Sequence, residues 1–557
     1  MPAVIQHRKA SSDTICSLTS ASSCAKSAGV KRWDGSGKRS EPWDGLRRDS
    51  ELWFSHGDCF VHLYAKGQSR RGPSFCVPMS ELQRAKCGNL FTLCFAQKIS
   101  KEDVPLGQLA ALKNPPEYMY ELYMPAPEET TKEEAFEWHM ANRNFFAFVF
   151  RKPLVGSHLG TALINLQERL HLFRTPGSSS NHEALMFYAK EMGYMTFTDR
   201  PDNALAMIFY AEHYQLKILW IDAYAHCVGM NDTLYLSSEH RIIPRVTKAL
   251  ITRAYLEMDL HLNRVAKALS NFLEEELSPQ YLGIPQGPRA HLERFRAFLH
   301  DFYVQKYGYW PPPKTTNYPR ALYRSMYSEF RGLYDLLVDM HSSASIQYQR
   351  PADGGICVLQ NVQAFDRRHK YNPLPHPLPL LPTTPPPNSL QPAKSIGTFK
   401  ISNKQTRLDK SRVSQASLLA ATNGITGATA DSPLVKAYKR FERDYSDKQK
   451  DKVSLSDARK VRWILIYATL QMLVSVTRAP AEVTDTDAMY PLCCLTAGTP
   501  PWNTGKSTTQ ENPRENDSGY ASAELEMISP EASASAFSIK PDCEGYDYIT
   551  HTSPSNT

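Results

Sequence analysis

The run Cys59-Phe60-Val61-His62-Leu63-Tyr64, the polar loop Lys66-Gly67-Gln68-Ser69-Arg70-Arg71-Gly72 and the return Ser74-Phe75-Cys76-Val77 decide the fold class. Aromatic and β-branched residues on both sides of a glycine-bounded loop specify a hairpin. Working outward, Tyr120-Glu121-Leu122-Tyr123-Met124, closed by Pro125 and Pro127, reads as a third short strand. Thr131-Lys132-Glu133-Glu134 is then a capping box that opens a helix toward Phe150. Helical spacing takes over from there. Leu159, Leu163, Leu166, Leu170 and Phe173 share a face; Leu205, Ile208, Phe209 and Glu212, followed by Leu219, Ala223 and Cys227, make a helix pair. Further helices centre on residues 245–258, 261–277, 290–306 and 320–340. The expected fold is α+β and predominantly helical: a small N-terminal sheet capped by helices, followed by a helical array. The lack of an internal repeat argues against a solenoid.

Composition divides the 557 residues. Residues 1–50 hold ten serines, nine Lys/Arg and five Asp/Glu, too little apolar surface to offset chain entropy, and are expected to be a disordered basic head. The folded core spans 51–372, with the sheet-bearing part at 51–230 and a helical extension at 231–372. Pro373 to Pro387 break every regular ladder, so 373–433 reads as a semi-extended proline-rich linker. Leu434, Tyr438, Phe441 and Tyr445 recur at helical spacing, and Ser454 or Ser456 can cap a helix through Val476. That second helix is apolar nearly all round, so 434–502 is expected to fold back onto the core. Residues 503–557 carry three Lys/Arg against nine Asp/Glu and read as a disordered acidic tail. The net charge of +7 is therefore the sum of a basic head and an acidic tail, and it argues against a dedicated nucleic-acid binder.

The N-terminus lacks the apolar run of a secretory signal, and Trp463 to Val476 is too short to cross a bilayer. The expected location is inside the cell, in cytoplasm or nucleus, and the sequons at Asn231 and Asn516 then carry no glycan. Eleven cysteines without C-x-x-C spacing indicate neither a disulfide framework nor a zinc ribbon.

Most motif-like fragments of the chain are incomplete. Gly505-Lys506-Ser507 resembles the end of a phosphate loop, but Pro500 stands where the motif needs its first glycine. Gly35-Ser36-Gly37 is too little for a dinucleotide fingerprint. His182-Glu183 starts like a zincin helix, yet Met186 replaces the second histidine. His226 and Cys227 point about 100° apart on a helix, and Cys493-Cys494 reads as a pair of small buried hydrophobes. The stripe Leu292, Phe295, Leu299, Phe302 and Lys306 has the spacing of a core face, with a base-stacking platform as the alternative. Pro379-Leu380-Leu381-Pro382 satisfies P-x-x-P but lacks a flanking basic residue. In the tail, Asp517-Ser518-Gly519-Tyr520-Ala521-Ser522 matches the D-S-G-x-x-S pattern of phosphodegrons, with Asp517, Ser518, Gly519 and Ser522 as its candidate residues. Thr384, Ser432, Ser529 and Ser553, each before a proline, are candidate phosphosites.

Several stretches carry a resemblance. Ser55 to Leu63, Gly67 to Phe75, Phe145 to Gly156, Pro351 to Asn361, Val461 to Tyr467 and Tyr490 to Cys494 resemble an uncharacterised family of filamentous-fungal proteins built around a domain of unknown function. The resemblance covers most of 51–502 and brings no activity or site residue with it. Gly57-Asp58 before a strand, Phe75-Cys76-Val77-Pro78 leading to Ser80-Glu81-Leu82, the strand at Glu121 to Met124, the helix ending at Phe150 and Ala204 to Tyr214 resemble the order of parts in BTB/POZ domains, with residues 155–203 as an insertion. That resemblance implies an interaction module that dimerises or binds a partner scaffold.

The expected function is a non-catalytic intracellular protein-interaction or adaptor protein without a cofactor or metal. Its partners are other proteins, including a second copy through the BTB-like part, with neither membrane nor nucleic acid among them. The alternative is an enzyme whose site assembles only in three dimensions, for which Asp58, His62, Glu212, His213, Asp222 and His226 are the first residues to inspect. A third class, a chromatin- or RNA-associated factor, would use the basic head.

Overall fold

Cys59, Phe60 and Val61, with Phe75, Cys76 and Val77 opposite, are all fully buried, so both faces of the first ribbon are covered. The computed structural model describes residues 30–34, 41–42, 46–175, 180–313, 319–342, 356–382, 403–424, 432–448, 453–494 and 500–502. The chain divides into two compact units, residues 1–192 and 193–557. Helix makes up 57% and strand 7%, so the fold is α+β with the sheet as its minor part.

The first unit runs β1 (Lys31–Trp33), β2 (Glu41–Pro42), β3 (Cys59–His62), β4 (Phe75–Val77), α1 (Met79–Arg84), α2 (Gly88–Leu93), β5 (Phe95–Ser100), α3 (Leu106–Leu109), β6 (Tyr118–Tyr123), α4 (Lys132–Val149), β7 (Leu154–Gly156), α5 (Leu159–Phe173) and α6 (Asn181–Glu191). One sheet has the order β4-β3-β6-β5. The expected hairpin is β3 with β4, antiparallel; β3 runs parallel to β6, with Phe60 opposite Glu121, and β5 runs antiparallel to β6. The capping box is formed, Thr131 accepting from the Glu134 backbone and the Glu134 carboxylate accepting from the Thr131 backbone.

One expectation needs correction here. Residues 31–33, placed in a disordered head, form β1 and pair with β7 in a second sheet of order β2-β1-β7. Trp33 is buried against Gly156, where an added Cβ would lie 3.1 Å from the indole, and Asp49 is buried against Arg143.

The second unit is helical: α7 (Pro201–His213), α8 (Lys217–Gly229), α9 (Asn231–Leu234), α10 (Arg245–Ser270), α11 (Gln286–Tyr307), α12 (Arg320–Leu337), α13 (Val358–His369), α14 (Asn403–Ala420), α15 (Pro433–Lys448) and α16 (Leu455–Thr477). α10 is a single helix of 26 residues where two were expected, because no glycine or proline separates Met258 from His261. Ser454 caps α16, accepting from Asp457 N at 3.0 Å. α16 packs on α10, α11, α12 and α13, which explains why it is apolar on every side. Among the described residues no helix is long and apolar enough to cross a membrane.

The proline-rich stretch differs from a free linker. Residues 374–382 are extended, but Leu380 N donates to Leu337 O at 2.7 Å and Trp463 Nε1 donates to Pro377 O at 2.8 Å, so the P-x-x-P run is held down. Further along, Asn403–Ala420 is helix α14, since no proline interrupts those residues.

A polar cluster anchors α16. Arg459 Nε and Nη2 donate to the Glu442 carboxylate at 2.6 and 2.8 Å, and Arg462 pairs with the same group. Arg462 Nη1 also meets His291 Nε2 at 2.7 Å, which requires a bare ring nitrogen there. Burial, reinforced by the Arg462 charge, pushes His291 down to about 3, so it is neutral. The charges are solvated by one another, which is the condition for keeping ions in a core.

Candidate functional site

Most of the polar residues first singled out are tied into the local structure of their own unit. Asp58 Oδ1 accepts from Met79 N at 2.6 Å and thereby holds the start of α1. His62 stacks on Tyr123 and lies 3.5 Å from Glu121, whose carboxyl is brought down to about 2 by His62 together with Gln97 and Tyr123. In the second unit Glu212 accepts from Thr247 Oγ1 at 2.6 Å, and His213 is exposed beside Tyr214.

Asp222 and His226, one turn apart on α8, do meet, and both are buried. Asp222 accepts from Thr484 Oγ1 at 2.9 Å, and His226 Nδ1 and Tyr490 Oη are 2.7 Å apart. Burial raises Asp222 to about 6 and lowers His226 to about 4. Tyr490 lies so close to α8 that a Cβ on Gly229 would sit 2.3 Å from its ring. With Val483, Ala488 and Leu492 packed around Ala225, the pair staples the 483–492 segment onto α8. Cys227 is fully buried, and burial pushes its thiol up, away from the thiolate a nucleophile needs.

Leu292, Phe295 and Leu299 are core residues, and Lys306 pairs with Glu329 at 2.7 Å. Cys493 and Cys494 are buried thiols. Among the described residues no cluster of His, Cys, Asp and Glu is arranged for a metal ion. Ser432 lies just before α15 with its hydroxyl buried. The phosphodegron-like Asp517, Ser518, Gly519 and Ser522, and Thr384, Ser529 and Ser553, lie outside the described residues.

A feature that sequence reasoning missed lies in the first unit. Where β3 and β6 end and β5 begins, a groove of about 460 Å³ opens between the sheet and helices α4 and α5. Leu93, Phe95, Tyr123, Met124, Leu172 and Phe173 form its apolar walls, Lys66 stands at the rim, and Trp138 and Asn142 of α4 close it. Spacing of four places Trp138 and Asn142 one above the other on one helix face. Leu93 is 58% and Phe95 55% exposed, large for apolar side chains that neighbour each other. Phe95 also heads β5, whose outer edge carries no strand partner among the described residues.

Behind the groove, Arg169 lies 3.9 Å over the Trp138 ring and donates Nε to Asn142 Oδ1 at 2.9 Å. This bond fixes the amide, since a flipped Asn142 would set donor against donor. Asn142 Nδ2 and Trp138 Nε1 are then buried donors with no hydrogen-bond partner among the described residues. Cys94, on the same wall, is pushed up to about 11 by burial and is a neutral thiol.

Residues 182–274 match the model of a family described as a domain of unknown function, DUF8004. The match covers α6 to α10 and includes Asp222 and His226, but not the groove. No curated protein and no solved structure matches the chain.

Proposed function

We propose that this is a non-catalytic intracellular interaction protein whose first unit binds a partner protein. The observation that carries the reading is the groove at the end of the β4-β3-β6-β5 sheet. Its walls are apolar, its rim exposes Leu93 and Phe95, and its ionisable lining is limited to Lys66, a neutral thiol and a Tyr123 hydroxyl committed to Glu121 at 2.9 Å. Those groups bind; they do not form an acid–base pair or an activated nucleophile. The BTB/POZ-like order of parts around the same sheet supports the same reading, since such modules work by surface contact.

The test is affinity purification of the full chain, with quantitative mass spectrometry, beside a variant carrying Phe95→Asp and Leu172→Asp. Both positions are exposed, so the variant is expected to fold. Proteins recovered reproducibly with the parent and lost with the variant are the expected result. Recovery of an identical set with both chains, or of none with either, overturns the proposal.

A further inference from the structure

Resting on the groove as the interaction site, we infer that its occupant is a segment of a partner protein that places an apolar side chain beside a carboxylate. Three observations point to the carboxylate. The Asn142 side chain is wholly buried in the groove wall, its orientation set by Arg169, and its Nδ2 has no acceptor among the described residues. Trp138 Nε1, one turn away on the same face, is a second buried donor in the same condition. Arg169, 8% exposed behind the groove, is held down from its ordinary pKa by burial, with Glu168 only partly offsetting that, and as an arginine it still keeps its positive charge next to Asn142. Two buried donors left unmatched are costly, and an acceptor in the groove satisfies both, with the Arg169 guanidinium behind Asn142 favouring an anionic one.

The walls specify the apolar part. Leu93, Phe95 and Leu172 form a surface that an aliphatic or aromatic side chain covers. A polypeptide is the favoured source because Phe95 heads the unpaired edge of β5. An extended chain leaving the groove covers that rim and edge, whereas a small acid filling about 460 Å³ leaves them bare.

The experiment selects a phage-displayed library of random octapeptides on the full chain. The best selected peptide is then synthesised with its acidic residue intact and with that residue as the matching amide, and binding is read by fluorescence anisotropy. The expected selection is rich in Asp or Glu next to an apolar residue, and the amide version binds about tenfold or more weakly, as loss of a charge-assisted hydrogen bond requires. In Asn142→Asp the carboxylate faces Arg169 and the N–H is gone, so the preference for acid over amide shrinks to less than about threefold while the melting temperature is retained. Selection without acidic residues, or an undiminished preference in Asn142→Asp, overturns the carboxylate inference and leaves the groove reading standing. Binding that is unchanged by Phe95→Asp, or no selected peptide at all, overturns both. Displacement of every selected peptide by micromolar decanoate assigns the site to a free apolar acid and overturns the peptide as occupant.

Discussion

Asp222 and His226 sit one turn apart yet respond to pH in opposite senses. Burial lifts the Asp222 carboxyl from 3.8 to about 6, so the folded state takes up a proton between those values. Its contribution to stability is complete below about pH 4 and is lost as pH rises through about 6. His226, lowered from 6.5 to about 4, contributes fully above about pH 6.5, and that contribution is lost as pH falls through about 4. Asp222→Asn removes only the first of these. Relative to the parent, the variant should therefore gain on the order of 2 kcal/mol between pH 4 and 7, whatever constant offset the lost Thr484 bond adds. Melting curves across that range check this, and a difference independent of pH rejects it. This staple was half visible in the sequence. A separation of four puts Asp222 and His226 on one helix face, but nothing local says that Thr484 and Tyr490, more than 260 residues away, arrive to meet them.

Elements were legible where their signals are local. The capping box at Thr131 and the serine cap at Ser454 rest on residues three positions apart, the hairpin of β3 and β4 on two strand-like runs joined by one polar loop, and each is formed. Ser454→Ala should cost about 1 kcal/mol, read from denaturant midpoints at unchanged slope, because one backbone donor of α16 loses its acceptor. β5 was not legible: Phe95-Ala96-Gln97-Lys98-Ile99-Ser100 does not alternate, and its strand character comes from six pairings with β6. β1 escaped for the same reason, three residues long and defined by β7. The groove inherits this blindness. Trp138 and Asn142 lie on an expected helix, whereas the opposite wall depends on where β5 begins, which the local pattern does not say.

At the scale of the whole molecule, two compact units with separate buried ion clusters need not melt together. In the first, Arg143 pairs with Asp49 at 2.7 Å and Glu51 at 2.8 Å; in the second, Glu442 holds Arg459 and Arg462. Removing one partner strands buried charge, a loss of roughly 3–5 kcal/mol. Calorimetry should show Arg143→Met lowering one transition and Glu442→Gln lowering another; a single transition shifted alike by both rejects the independence of the units. The covering of α16 has a consequence for synthesis on the ribosome. The helix against which α10 to α13 pack is translated after all four of them, and the contacts of Asp485 with Thr198 and of Arg462 with His291 span 287 and 171 residues. Throughout most of elongation the nascent second unit therefore exposes the apolar surfaces that α16 will cover, while residues 1–192 of the first unit have already emerged. Chaperone occupancy should accordingly concentrate on the nascent chain between residues 193 and 455 and fall once α16 clears the exit tunnel.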